Sequence, residues 1–153
     1  LDSSLLQRVC PQTFLAPLAP PSAAALEGRC VDADLIWQGA DWWRDHCQFL
    51  IVEGAGGVMS PISDSLTCLD LAEGIGLPVV LVAADRLGCV SHVLLAAEAI
   101  RRRGVQLLAI VLSKWGDDLC ELTSRSNEKL IRDFLPNTML IDDATKIADH
   151  LVS

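Results

Sequence analysis

Runs of consecutive apolar residues alternate along the chain with segments whose apolar residues recur every three or four positions. The runs are typical of strands buried on both faces, and the longer period is typical of amphipathic helices. Buried strands are predicted at Gln48–Val52, Pro78–Ala84 and Leu107–Leu112, with a shorter one at Thr138–Ile141. The alternation of strands and helices predicts an α/β fold built on a doubly wound parallel sheet with three layers.

The predicted helices cover Ser22–Glu27, Asp34–His46, Ser65–Glu73, Val90–Arg103, Leu119–Leu135 and Ala144–Val152. Ser65 is a candidate N-cap, and Gly74 or Gly76 is expected to end the helix that Ser65 begins. Residues 1–21 are rich in prolines and are predicted to form a loop over the sheet. The tryptophans of the second helix are interpreted as core or subunit-contact residues, with adenine stacking as the alternative.

Composition narrows the class of protein. The 153 residues fit a single domain spanning 1–153. Hydrophobic residues make up 51% of the chain, but they form no apolar run of the ~20 residues that a membrane span needs. The net charge of −8 argues against a nucleic-acid partner. No signal peptide is visible, so we expect a cytoplasmic protein whose six cysteines are free thiols. The histidines share no zinc-ligand spacing with those cysteines.

Candidate chemistry begins where the first predicted strand ends. Glu53 follows Val52 directly, and Gly54, Gly56 and Gly57 come within the next four positions. Ligands of parallel sheets bind at the carboxyl ends of strands, and glycines let backbone amides approach phosphate oxygens. A carboxylate beside a phosphate needs a cation between them, usually Mg²⁺. The alternative is a buried strand followed by a flexible loop.

A second candidate lies at the predicted start of the helix that follows Gly88. Helix N-termini bind anions through unpaired amides, so Gly88 to Ser91 is a candidate anion site. A helix start also lowers the pKa of a thiol, which makes Cys89 a conceivable nucleophile. No general base stands near Cys89 in the sequence, and this role is disfavoured.

Several motifs occur in one order along the chain. Pro11-Gln12-Thr13-Phe14 is followed by Ala16-Pro17 and Ala19-Pro20; Val52-Glu53-Gly54-Ala55-Gly56-Gly57 is followed by Pro61; and a buried strand leads to Arg86-Leu87-Gly88-Cys89. This series, dense from Pro11 to about Lys114, resembles the dethiobiotin synthetase family, whose fold is of the P-loop NTPase type.

The resemblance implies a cytosolic homodimer that uses ATP and Mg²⁺ to carboxylate 7,8-diaminononanoate, phosphorylate the carbamate and close the cyclic urea of dethiobiotin, in biotin biosynthesis. It implies that Glu53 binds the metal. The implied nucleotide-binding residues are Glu53, Gly54, Ala55, Gly56, Ser113 and Lys114. The implied substrate-binding residues, which in the family receive the carboxylate of a substrate held by the other subunit, are Leu87, Gly88, Cys89, Val90 and Ser91.

The chain departs from the family at its beginning. The family opens with a strand and a G-x-x-x-x-G-K-[ST] loop, whereas the lysines here are Lys114, Lys129 and Lys146, and none follows a glycine-rich turn. Ser113-Lys114 stands where the family reads adenine with an asparagine, and Ile141-Asp142-Asp143 replaces the later adenine loop. The chain is thus either the C-terminal part of a synthetase or a form without the phosphate-gripping half. A non-catalytic relative and a synthetase-like domain of a larger protein, such as a cobyrinate amidase or a phosphotransacetylase, remain the alternatives.

Overall fold

The computed structural model describes residues 3–113 and 121–141. The chain divides into two compact units, Leu1–Ile75 and Gly76–Ser153, and each is described by itself. No helix in the described ranges is both long enough and apolar enough to cross a membrane.

The first unit contains helices α1 (Ser3–Val9), α2 (Pro20–Leu26), α3 (Ala33–His46) and α4 (Cys68–Ile75). Its core is formed by Ile62, Leu71 and Ile75, with Ile36 and Trp37 of α3 packed against them. A Cβ at Gly74 would lie 2.5 Å from Cη2 of Trp37, so this glycine lets α4 pack closely on the indole. Trp37 is half-buried against this core, which supports the core interpretation for this one tryptophan.

The prediction of a loop over residues 1–21 was wrong at both ends, because α1 and the start of α2 fall within it. The prolines begin only at Pro11, so nothing in Ser3–Val9 prevents a helix. The α1 helix is tied to α3 through Arg8. Its guanidinium lies over the ring of Trp42, 4.4 Å from the centroid, and its carbonyl accepts a 3.2 Å hydrogen bond from Nε1 of Trp43.

The predicted strand Gln48–Val52 is not a strand in the structure. A strand exists only where a neighbouring strand pairs with its backbone, and no described residue pairs with this segment. Phe49 is 56% exposed and Ile51 is 79% exposed, so the apolar run is not buried. The expectation of Glu53 at the carboxyl end of a sheet strand therefore has no support in the described residues.

The second unit holds a parallel sheet of three strands in the order β1-β2-β3. The strands are β1 (Val79–Ala84), β2 (Leu107–Ser113) and β3 (Met139–Ile141), and the helices between them are α5 (Cys89–Arg102) and α6 (Glu121–Phe134). The register pairs Leu81 with Ile110 and Ile110 with Leu140. The predicted α/β class with a parallel sheet is confirmed.

The core of the second unit lies between this sheet and its two helices. Val93 and Ala97 of α5, Ile110 of β2 and Ile131 of α6 are almost completely buried within it. Gly104 ends α5 as predicted, with a φ of 69° that favours glycine. The predicted helix Ala144–Val152 and residues 119 and 120 of the predicted α6 lie outside the described residues.

Candidate functional site

The loop after Val52 combines an exposed carboxylate with unengaged backbone amides. Glu53 is exposed. Gly57 donates its amide to Oγ of Ser60 at 2.8 Å, whereas the amides of Gly54, Ala55 and Gly56 have no acceptor among the described residues. Gly56 has a φ of 97°, a left-handed backbone conformation that favours glycine. Such a loop presents several donors beside one negative charge.

The loop rests on the start of α4. The amide of Cys68 donates to the carbonyl of Ser60 at 3.0 Å, and the amide of Leu69 donates to the carbonyl of Val58 at 2.8 Å. A Cβ at Gly54 would lie 3.0 Å from Sγ of Cys68, so the thiol and the glycine are already in close contact. Burial raises the pKa of the Cys68 thiol, which keeps it uncharged beneath the loop. Cys68 therefore supports the loop as an uncharged thiol, and its Sγ donates a long hydrogen bond of 3.8 Å to the carbonyl of Ala55.

The sequence suggested Ser65 as the N-cap of α4. In the structure a capping box formed by Thr67 and Asp70 fixes the start of this helix. Oγ1 of Thr67 and the amide of Thr67 donate to Oδ2 of Asp70 at 2.6 and 2.7 Å, and the amide of Asp70 donates back to Oγ1 of Thr67 at 3.2 Å. Ser65 lies two residues before Thr67, in a tight turn where Oγ of Ser63 accepts from the amides of Ser65 and Leu66.

A cavity of about 180 Å³ lies beside Glu53 within the first unit. Its walls are mostly apolar, and they come from the proline-rich loop, α3, α4 and the glycine loop. The lining residues are Pro11, Gln12, Phe14, Pro20, Val31, Ile36, Glu53, Gly54, Ala55, Ile62 and Leu71. Ligand pockets commonly enclose about 300–1,000 Å³, so this cavity has room for part of a small molecule. An apolar chain with a polar end would suit it.

The proline-rich wall of this cavity is held by hydrogen bonds and an ion pair, and of the side chains that make them only Gln12 belongs to a motif identified in the sequence. Gln12 makes two hydrogen bonds with the backbone of Asp32, both 2.7 Å long. Asp32 in turn caps α3 through Oδ1. The amide of Leu15 donates to Glu27 at 2.7 Å, and Arg29 pairs with Glu27 at 3.0 Å. An Asp just before an apolar-periodic segment is a helix-start signal that would have identified Asp32.

The second candidate site lies in the second unit, at the start of α5. Gly88 is the N-cap residue, with a φ of 89°. The amide of Cys89 is used locally, because it donates to the carbonyl of Arg86 at 3.0 Å. The amides of Val90 and Ser91 have no backbone acceptor among the described residues. The exposed side chain of Leu87 lies beside this turn.

Cys89 is unsuited to the role of nucleophile. Its side chain is 2% exposed and forms part of the core with Val93 and Ala97. Burial raises the pKa of its thiol, and the nearby charge of Asp85 raises it further. A protonated and buried sulfur neither attacks a substrate nor contacts one.

The structure therefore divides the predicted site residues between the two units. Glu53, Gly54 and Ala55 line one cavity, and Gly56 shapes their loop. The residues around Gly88 start α5 in the other unit. Ser113 ends β2, where its carbonyl accepts from the amide of Asp85, and Lys114 lies outside the described residues. No cluster of three or more metal-ligating side chains occurs in the described ranges.

Comparison with known proteins assigns the family. A family model for the AAA domain matches residues 4–142, which is most of the chain. The chain belongs to the AAA domain family. It is also similar to proteins named ATP-dependent dethiobiotin synthetase BioD.

The similarity to the synthetases is high, but it is confined to part of their length. The protein from Phenylobacterium zucineum (strain HLK1) is 46% identical over 119 residues, which cover 76% of this chain and 51% of the relative. The protein from Caulobacter vibrioides (strain NA1000 / CB15N) is 49% identical over 109 residues, covering 69% and 49%. The Anaeromyxobacter sp. (strain K) protein is 43% identical over 113 residues, covering 74% and 51%. The chain thus spans about half the length of these relatives.

Proposed function

We propose that this chain forms part of a dethiobiotin synthetase that closes the cyclic urea of dethiobiotin from 7,8-diaminononanoate, CO₂ and ATP. The observation that carries the proposal is the joint cavity wall made by Glu53, Gly54, Ala55 and the loop of Pro11–Phe14. These are two of the motifs that carry the resemblance to the synthetases, and they are separated by about 40 residues in the sequence.

The residues of this loop fit a magnesium–nucleotide complex. A single exposed carboxylate suits Mg²⁺, which is usually held by one or two protein carboxylates together with phosphates and water. Glu53 would hold the metal, and the free amides of Gly54, Ala55 and Gly56 would donate to phosphate oxygens. When bound, Mg²⁺ would neutralise the negative charge that develops on the transferred phosphoryl group. The cavity beside Glu53 would take the apolar chain of the diamine and keep water away from it.

The substrate carboxylate would be bound at the start of α5. Two amides there lack backbone acceptors within the described part of the chain, and a helix start carries about half a positive charge. In our proposal Leu87 to Ser91 receive this carboxylate from a substrate held by a second copy of the chain. The site then requires a homodimer, and Ser113 and Lys114 contribute to the nucleotide side.

A non-catalytic relative is the second candidate, and one observation favours it. The 153 residues contain no lysine that follows a glycine-rich turn. Such a lysine and its loop grip the β- and γ-phosphates in nucleotide-hydrolysing relatives of this fold. A relative without this lysine and its loop would keep the Glu53 loop but would not turn over nucleotide.

Growth without biotin tests the proposal. A bacterial strain that lacks dethiobiotin synthetase would receive the gene for this chain, either alone or preceded by a segment carrying the family's strand and P-loop. We expect growth only with the joined gene, and no growth when Glu53→Gln is added to it. Equal growth of the joined gene with and without Glu53→Gln would contradict the assigned role of this loop.

A further inference from the structure

Asp85 is the one charged residue that is buried in the described part of the chain, with only 2% of its surface exposed. It follows β1 directly and precedes the turn that leads into α5. Burying a carboxylate is strongly destabilising unless hydrogen bonds satisfy its oxygens. Its retention at this position therefore needs a structural or functional reason.

Both carboxylate oxygens of Asp85 are satisfied by one face of α6. Oγ of Ser124 donates to Oδ2 at 2.5 Å, and Nδ2 of Asn127 donates to Oδ1 at 2.7 Å. Ser124 and Asn127 are three positions apart, so they stand on the same side of the helix. With its oxygens engaged and its surface covered, Asp85 is unsuited to bind a ligand.

The same amide reaches the turn before α5. Nδ2 of Asn127 also lies 3.4 Å from the carbonyl oxygen of Arg86. That carbonyl accepts the amide of Cys89, which closes the turn at the start of α5. The amide of Asp85 donates to the carbonyl of Ser113 at 2.9 Å, so the near end of the turn is tied to β2. The amide of Asp85 therefore fixes the beginning of the turn to β2, and the side chain of Asn127 contacts the carbonyl of Arg86 within the turn.

We propose that Asp85, held by Ser124 and Asn127, is a positioning residue that sets the Arg86–Gly88 turn and so aims the free amides at the start of α5. Its effect on substrate affinity rests on the proposed function, in which those amides bind the carboxylate of diaminononanoate. In this arrangement α6 controls a site to which it contributes no ligand-binding group.

Hydrogen exchange and calorimetry on the 153-residue chain test this inference. Asn127→Ala removes the shared amide, and Ser124→Ala is a milder variant in case the first does not fold. Lys129→Ala is the matched control, because Lys129 lies on α6 and, among the described residues, its side chain pairs with the exposed Asp133. We expect the amides of Cys89 and His92 to exchange about tenfold faster in the Asn127 or Ser124 variant, while amides in β2 are unchanged. Diaminononanoate affinity should fall about tenfold.

The double variant Asp85→Asn with Asn127→Asp adds a rescue. It restores one amide–carboxylate hydrogen bond, so the melting temperature should recover, but it removes the donor to the carbonyl of Arg86, so exchange at Cys89 should stay fast. Unchanged exchange at Cys89 and His92 in the single variants would overturn the inference, as would faster exchange with unchanged affinity. If the unmodified chain does not bind diaminononanoate, the proposed function fails for this chain, and the exchange result alone decides the inference.

Discussion

Glu53 carries the proposed chemistry at the scale of single residues. It is the one acidic side chain on the cavity wall, and the loop amides beside it are free within the described residues. In the chain joined to a P-loop segment, Glu53→Gln should preserve the fold and weaken magnesium-dependent ATP binding at least tenfold, because the amide oxygen carries no charge for the metal. Calorimetry with and without Mg²⁺ measures this. Glu98→Gln, at an exposed ion pair on α5, serves as control. Equal Mg–ATP affinity in the Glu53 variant would remove Glu53 from the metal site.

Gly56 and Gly57 are neighbours with different constraints, which gives a matched pair of variants. Gly56 has a φ of 97°, and a Cβ there would lie 2.6 Å from Oγ of Ser60. At Gly57 the corresponding distance is 3.8 Å, an ordinary contact. Gly56→Ala should lower the free energy of unfolding by about 1–2 kcal/mol, the cost of a left-handed backbone with a side chain. Gly57→Ala should change it by less than about 0.5 kcal/mol. Urea unfolding of the two variants decides, and equal losses would contradict the loop conformation.

The exposed and the buried cysteine thiols should differ in their rate of alkylation. Cys10 and Cys30 are exposed, whereas Cys89 is buried and burial raises the pKa of its thiol. A raised pKa leaves less thiolate at neutral pH, and thiolate is the reactive form. Iodoacetamide at pH 7.5 should alkylate Cys10 and Cys30 about a hundred-fold faster than Cys89. Peptide mass spectrometry over time measures the rates, and rapid labelling of Cys89 in folded protein would reopen its role as a nucleophile.

At the scale of elements, α4 supports the glycine loop and depends on its cap. Thr67→Val removes the hydroxyl that exchanges hydrogen bonds with Asp70 and should cost about 1 kcal/mol of stability. Ser65→Ala is the control, since the Ser65 side chain is exposed and makes no hydrogen bond with another described residue. Thermal unfolding of both variants distinguishes the two candidate caps. A larger loss for Ser65→Ala would favour the cap suggested by sequence.

Elements whose burial is local were predictable from the sequence, and those that depend on distant partners were not. The apolar runs of β1 and β2 and the glycine that ends α5 identified their elements within a residue or two. Gln48–Val52 shows the same apolar pattern but is not a strand. Strand pairing requires a neighbouring strand, which the apolar run by itself does not reveal. Asp85, Asn127 and Ser124 come together over about 40 residues, which no periodicity reveals.

At the scale of the whole molecule, the exposed apolar run beside Glu53 bears on what the chain can do by itself. Phe49 and Ile51 are exposed in a segment without a strand partner among the described residues. The family resemblance implies a further strand and P-loop in a complete synthetase. We expect that joining such a segment lowers the exposure of Phe49 and Ile51, which reduces hydrogen exchange at Gln48–Val52 by at least tenfold. Unchanged exchange after joining would show that the added segment does not pair there.

The most direct measurement is the formation of dethiobiotin from diaminononanoate, bicarbonate and Mg–ATP by purified protein, followed by mass spectrometry. We expect no product from the 153-residue chain, because the phosphates lack their lysine and loop, and product from the chain joined to a P-loop segment. We expect a large loss of product when Glu53→Gln is added to the joined chain. Turnover by the 153-residue chain, or undiminished turnover with Glu53→Gln, would contradict the account.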